Sequence, residues 1–297
     1  GSSNIAIGSN ALTNDVGGGG SVAIGTDAMV NQDGGDSAVN MANVGVGPNA
    51  GHYNVTGSNN TNIGNGACLG TSGQSGSNIT AIGSSALNVA YGQDNTAVGQ
   101  QAGLLVTSGV RNCLIGTGAG DALTDENYVT AVGVFAGSAI NHTDASGTTL
   151  VGYSAGLALT TGAGNVAVGY SALSTNVDGS YNTAVGYEAL ITFEADTLNH
   201  GENTAVGHSA GKFVSTGAGN TFVGKYSGLG ITGTPLAGDN NTGIGRQSGL
   251  ALQGAAHSNT FVGNNAGYTT TTGVENTIIG YNCIAEDATA SNQIVIG

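Results

Sequence analysis

The chain has 297 residues, 55 of them glycine, with 39% hydrophobic and 7% charged residues, a net charge of −14 and no tryptophan. With only two prolines it is not collagen, and it is too apolar and too charge-poor for a charged disordered chain. Its four cations, Arg111, Lys212, Lys225 and Arg246, are too few to neutralise a run of phosphates, so nucleic acid and anionic membrane surfaces are poor partners.

The first element is NIAIG (4–8), and a phrase ending in Val-Gly or Ile-Gly then returns until Gly297, seventeen copies in all. Nine of the sixteen intervals between these glycines are 17 residues, and none is shorter than 16. A fixed period with occasional lengthening is the mark of a solenoid whose coils carry loop insertions. A β-branched residue stands three before the glycine in sixteen copies, and Val or Ile stands one before it in all seventeen. This period-2 alternation predicts one short strand per coil. Asn sits four before the glycine in twelve copies, and its tolerance of left-handed backbone suits the corner that enters the strand. Three after the glycine comes Ala, or otherwise Ser or Cys, which predicts a position with no room for more. Val98, Gly99 and Ala102 show the pattern, as do Val168, Gly169 and Ala172, and Val185, Gly186 and Ala189.

Between the strands the chain varies. The insertion 30–42 carries Asp33 and Asp36, and the insertion 191–202 carries Phe193, Glu194 and Asp196. A third insertion spans 229–240. Solenoid insertions often form the binding face, so these five side chains are candidate receptor contacts. The residue after the glycine is Tyr153, Tyr170 and Tyr187 on three successive coils, then His208. Such a ladder is either a sugar-binding strip or a structural row packed on a neighbouring chain. Cys68, Cys113 and Cys283 replace small or apolar repeat residues, which suggests buried structural thiols. No spacing of acids, histidines or cysteines matches a catalytic, cofactor or metal motif. Calcium at the Asp-rich stretch 31–37 has no motif support either. An enzyme is not expected.

The fold expected is therefore all-β: a single parallel β-solenoid (β-roll) region over 1–297, of about seventeen coils stacked over roughly 80 Å. A thin rod with a bare Val/Ile face would aggregate, and winding several rods together would bury that face. No apolar run approaches the roughly 18 residues of a membrane span, so membrane insertion is not expected. The opening GSSN matches internal phrases, and the chain reads as an excerpt of a longer polypeptide.

The phrases NIAIGSNA (4–11), SVAIGTDA (21–28) and NTAVGYEAL (182–190) resemble the head repeats of trimeric autotransporter adhesins. The 17-residue form, closed by SNQIVIG (291–297), is similar to repeats of phage tail fibres. The resemblance covers the whole chain. It implies a left-handed β-roll, a homotrimer, an extracellular place on a virion or bacterial surface, and attachment to a cell-surface glycan or protein receptor. Two other functions compete: a secreted filament that serves as matrix, and an ice-binding solenoid. The latter would use the eleven strands with Thr three before the glycine, provided that this face is exposed. Against it, a position that is apolar without exception behaves as a buried one.

Overall fold

The computed structural model describes residues 3–35, 39–195 and 200–297. Among these the chain is nearly all β: each phrase forms a three-residue strand, seventeen in total, and Thr143–Ala145 is a short 3-10 turn. The protein is a parallel β-solenoid of about seventeen coils with a period near 17 residues.

Its contacts divide it into two compact units, Gly1–Gly147 and Thr148–Gly297. The first holds eight of the strands, from Ile5–Ile7 to Thr130–Val132, and the second nine, from Thr149–Val151 to Ile294–Ile296. Within each unit the pairing is parallel and in register: Thr80 lies opposite Thr96 and Ile82 opposite Val98, just as Thr183 lies opposite Thr204 and Val185 opposite Val206. Longer coils do not disturb this register. The first long insertion bonds to both neighbouring coils, Asp33 N to Val55 O and Met41 N to Gly19 O, and adds a two-residue pair, Gly18–Gly19 with Val39–Asn40.

Stacking in register puts identical residues next to one another, so each position must tolerate its own copy. The glycine that ends the strand shows how strict this is. Gly186 has φ +143°, and a Cβ there would lie 2.3 Å from the carbonyl oxygen of Gly207 on the next coil. Both the left-handed side of φ space and the close backbone approach demand glycine. Beyond it the chain turns sharply: Ala172 N donates back to Gly169 O at 3.4 Å, and Leu173 N donates onward to Ala189 O at 3.0 Å. Ala172 and its equivalents Ala102 and Ala189 are fully buried in that turn, as expected of them.

The middle residue of each strand points inward and is buried, except at the terminal strands, where Ala6 is exposed and Val295 half-buried. In several coils a large and a small residue exchange places between two positions six residues apart, although Ala97 with Gly103, Ala131 with Gly137 and Ala205 with Gly211 are small at both. Where the strand centre is large, at Leu114, Leu150, Phe222 and Phe261, the partner is Gly120, Gly156, Gly228 or Gly267. Where the centre is Ala81, Ala167 or Ala184, the partner is Leu87, Leu173 or Leu190, also fully buried. A Cβ on Gly228 would lie 2.3 Å from the Phe222 ring, so the two large residues cannot coexist in one coil.

The asparagine column departs from expectation. None of the twelve strand-entry asparagines has positive φ; the residue just before takes that conformation instead, as at Asp94, Arg111 and Tyr181. The asparagine is buried, and its side chain links coils: Asn95 Oδ1 accepts from Asn112 N at 2.9 Å, and Asn165 Oδ1 from Asn182 N at 2.9 Å. Asparagine is selected here for a hydrogen bond along the stack, with its short amide closing a buried backbone donor.

Candidate functional site

A three-residue strand with one residue inward leaves two outward. The outward pair is the Thr column and the Val/Ile column, so the position that is apolar in every copy is not buried by coil stacking. Val206, Val223 and Ile244, on three successive coils, are 36% to 44% exposed, and Val151, Val168, Val185 and Val262 are half-buried. The burial expected of this column fails within the chain for a geometric reason: the coil is too thin to enclose more than the strand centre. Two further features mark this face. All of its residues are uncharged, and among the described residues none of its Thr side-chain hydroxyls bonds within the chain. Each unit thus presents an in-register strip of methyl groups and free hydroxyls, at the strand spacing of about 4.8 Å along the stack.

Tyr153, Tyr170 and Tyr187 are brought together as one ladder in the second unit. Tyr153 and Tyr170 stack with centroids 5.2 Å apart and planes 11° from parallel, and Tyr170 and Tyr187 repeat this at 5.2 Å and 10°. His208 continues the stack at 5.0 Å, and Tyr226 closes it edge-on at 5.3 Å. The carboxylate of Glu188, paired with Lys212 Nζ at 2.6 Å, stands beside Tyr187 and raises its phenol above the usual range; desolvation adds to the shift. The geometry weighs against the sugar-strip reading of this ladder. A sugar ring needs a free aromatic face, and the faces of Tyr170 and Tyr187 are covered by their neighbours. What the ladder offers to solvent is ring edges and hydroxyls.

The remaining candidates do not join it. Phe193 is fully buried under the corner at Gly179, where a Cβ would lie 2.6 Å from its ring, so it is a core residue and not a contact. Glu194 is half-buried and Oε2 accepts from Val177 N at 3.0 Å; burial, its largest influence, raises its carboxyl. Asp33, in the first unit, lines a shallow depression with Asn31, Tyr53 and Val55, and its carboxylate accepts from Gly35 N at 2.9 Å. Asp36 and Asp196 lie outside the described residues.

The insertions are partly structural. Gln32 and Met41 of the first insertion are buried, and Gln32 Oε1 accepts from Asn43 Nδ2 at 2.9 Å. In 229–240, Leu236 is buried and its N–H donates to Phe213 O at 2.9 Å, while 231–235 form an exposed tip. Of the thiols only Cys68 is fully buried, which pushes its pKa up to about 12. Cys113 stands half-buried in the outward Thr column and Cys283 is half-buried, which corrects the expectation of three buried thiols. The core exchange and the asparagine relay had sequence signals that sequence reading missed: glycine six residues after a large strand centre, and an Asn that stays Asn while its neighbours vary.

No family model matches the chain, and no curated protein matches it.

Proposed function

We propose that this chain is a structural fibre segment of a virion tail fibre or bacterial surface adhesin, assembled as a homotrimer and acting in attachment by multivalent display. The observation that carries this reading is the unbroken outward Val/Ile column. A strip of half-exposed, uncharged apolar side chains of this length invites a partner. A second and third copy of the same solenoid match its period without mismatch. Completing the burial of each Val or Ile adds roughly 1 kcal/mol, repeated coil after coil. The copies carry like charge, but that charge lies off the face, so close approach desolvates no carboxylate. Exposed stretches such as 231–235 would then recur around the fibre, and three weak contacts combine into one strong one.

Light scattering coupled with small-angle X-ray scattering tests the assembly. A stable trimer is expected for the parent, and Val185→Glu with Val206→Glu should reduce it to monomer while circular dichroism stays β-rich. A monodisperse parent monomer would overturn the trimer. Attachment is tested separately: if replacing the exposed tip 231–235 by glycine and serine, with the buried Leu236 kept, leaves host binding unchanged, that tip is not the contact.

The partnerless Thr hydroxyls favour one other reading, adsorption of a monomer to ice through this same face. Thermal hysteresis measured on the monomer separates the two, and zero activity removes the second.

A further inference from the structure

The aromatic ladder of the second unit plays no part in the fibre reading, and its geometry suits a chemical role. Tyr153, Tyr170 and Tyr187 are each close to half exposed, from 45% to 48%. They are held on adjacent strands by in-register pairing at Thr149–Val151, Val166–Val168 and Thr183–Val185. The 5.2 Å stacks are the only tyrosine–tyrosine ring contacts among the described residues. Tyr53 and Tyr226 contact histidine rings, and Tyr181 and Tyr281 are exposed without a tyrosine partner.

We propose that Tyr153, Tyr170 and Tyr187 form an oxidative cross-linking site, at which neighbouring phenols of one chain couple into dityrosine. The co-reactants are hydrogen peroxide and a one-electron oxidant of the haem-peroxidase type. Each phenol loses one electron and its hydroxyl proton to become a phenoxyl radical. Two such radicals join by a carbon–carbon bond between ring positions ortho to oxygen. The hydrogens on those carbons return to the oxygens, restoring both aromatic rings. The net change is the removal of two hydrogen atoms, which one peroxide takes up as it becomes two waters.

The ladder meets the two demands of this coupling. A radical must find a second ring before it is quenched, and the stack keeps one in contact at all times. The oxidant must also reach the ring edges, and those edges are the part left in solvent. Tyr170 has a partner on either side, so it belongs to both possible links. Each link would join tyrosines 17 residues apart and tie successive coils together covalently.

The test is to treat the full chain with peroxidase and hydrogen peroxide, then read dityrosine fluorescence, denaturing electrophoresis and mass spectrometry of a thermolysin digest. Peptides joining Tyr170 to Tyr153 or Tyr187 are expected, in a chain that still runs as a monomer under denaturing conditions and melts several degrees higher. Tyr170→Phe keeps the ring stack but cannot form a phenoxyl, and should lower the yield at least fivefold. Tyr181→Phe should leave it unchanged. The proposal is overturned by absence of dityrosine in the parent, by links that join only separate chains, or by an undiminished yield in a folded Tyr170→Phe variant.

Discussion

The two units wind the same coil, yet they hold their strand-entry corners together differently. In the second unit seven consecutive coils, from Asn165 to Asn276, carry asparagine at this position. There the side chains from Asn165 to Asn259 each serve the next coil twice over: Asn220 Oδ1 accepts from Asn241 N at 2.9 Å and from Asn241 Nδ2 at 3.0 Å. The first unit has five asparagines, interrupted by Ser21, Ile79 and Val129. Its relay is correspondingly short. Asn112 Oδ1 accepts from Val129 N at 2.9 Å, while Asn112 Nδ2 turns to the backbone at Glu126 O, also 2.9 Å. Ser21 substitutes with a longer bond, Oγ accepting from Asn43 N at 3.2 Å. A solenoid can thus lose side-chain relay at single coils, because each corner needs only its two neighbours. The second bond is a feature of the second unit alone, since the adjacent pairs Asn43 with Asn60 and Asn95 with Asn112 in the first unit make only the backbone one.

What the units share should respond most strongly to mutation. The core exchange is present in both, at Leu114 with Gly120 and at Phe222 with Gly228. Phe222→Ala should cost about 3–5 kcal/mol in chemical denaturation, as a large buried side chain leaves a cavity. Adding Gly228→Leu should recover part of the loss, since it recreates the Ala184 and Leu190 pairing found two coils earlier in the stack. A double variant less stable than Phe222→Ala would mean that the positions are not exchangeable.

What distinguishes the units should appear next. Each of Asn220→Ala and Asn112→Ala strands one buried backbone donor, that of Asn241 or of Val129, and Asn220→Ala also removes one acceptor of Asn241 Nδ2, which keeps its bond to Ala256 O at 2.8 Å. An unpaired buried donor costs roughly 1–3 kcal/mol in either variant, and the extra side-chain bond should make Asn220→Ala the more damaging by about 1 kcal/mol. Hydrogen exchange at the following coil reads the same difference locally. Equal losses for the two variants would erase the contrast drawn between the columns.

Period, strand placement, register and the tight alanine were all legible before any coordinates, because they follow from spacing and side-chain size. Direction was not. Alternation says that Thr96 and Val98 share a side and that Ala97 takes the other, but it is silent about which side encloses the core. In the Thr96–Val98 strand the small Ala97 goes inward, whereas in Thr221–Val223 and Thr260–Val262 a phenylalanine takes the same inward place, so side-chain size does not set the direction. Apolar character then misleads, because the outward side is the more hydrophobic one. The asparagine was read as a backbone conformer because Asn does both jobs in isolated turns; only stacking gives its amide a neighbour to bond. Phe193 reads as a loop contact from its place in an insertion, yet it stands seven residues after its strand glycine, as do Val106, Leu123, Ile140, Leu159, Val214 and Leu252, all fully buried, so its core place was legible in the repeat.

The smallest effect concerns a single carboxyl of that same insertion. Burial raises the Glu194 pKa, against a weaker opposing hydrogen bond from Val177 N. A carboxyl whose pKa is higher folded than unfolded binds protons better in the folded state. Its ionised form therefore costs stability at neutral pH, and that cost fades as pH falls through the raised folded value toward the unfolded one. Glu194→Gln keeps an oxygen to accept from Val177 N and removes the charge. It should stabilise the second unit at pH 7 by less than about 0.5 kcal/mol, the site being only half-buried and so partly screened. The gain should vanish near pH 4, where the parent carboxyl is itself protonated. Melting curves of the two proteins at both pH values decide it. A variant less stable than the parent at pH 7 would mean that the bond to Val177 outweighs burial, and the sign of the shift would have to be reversed.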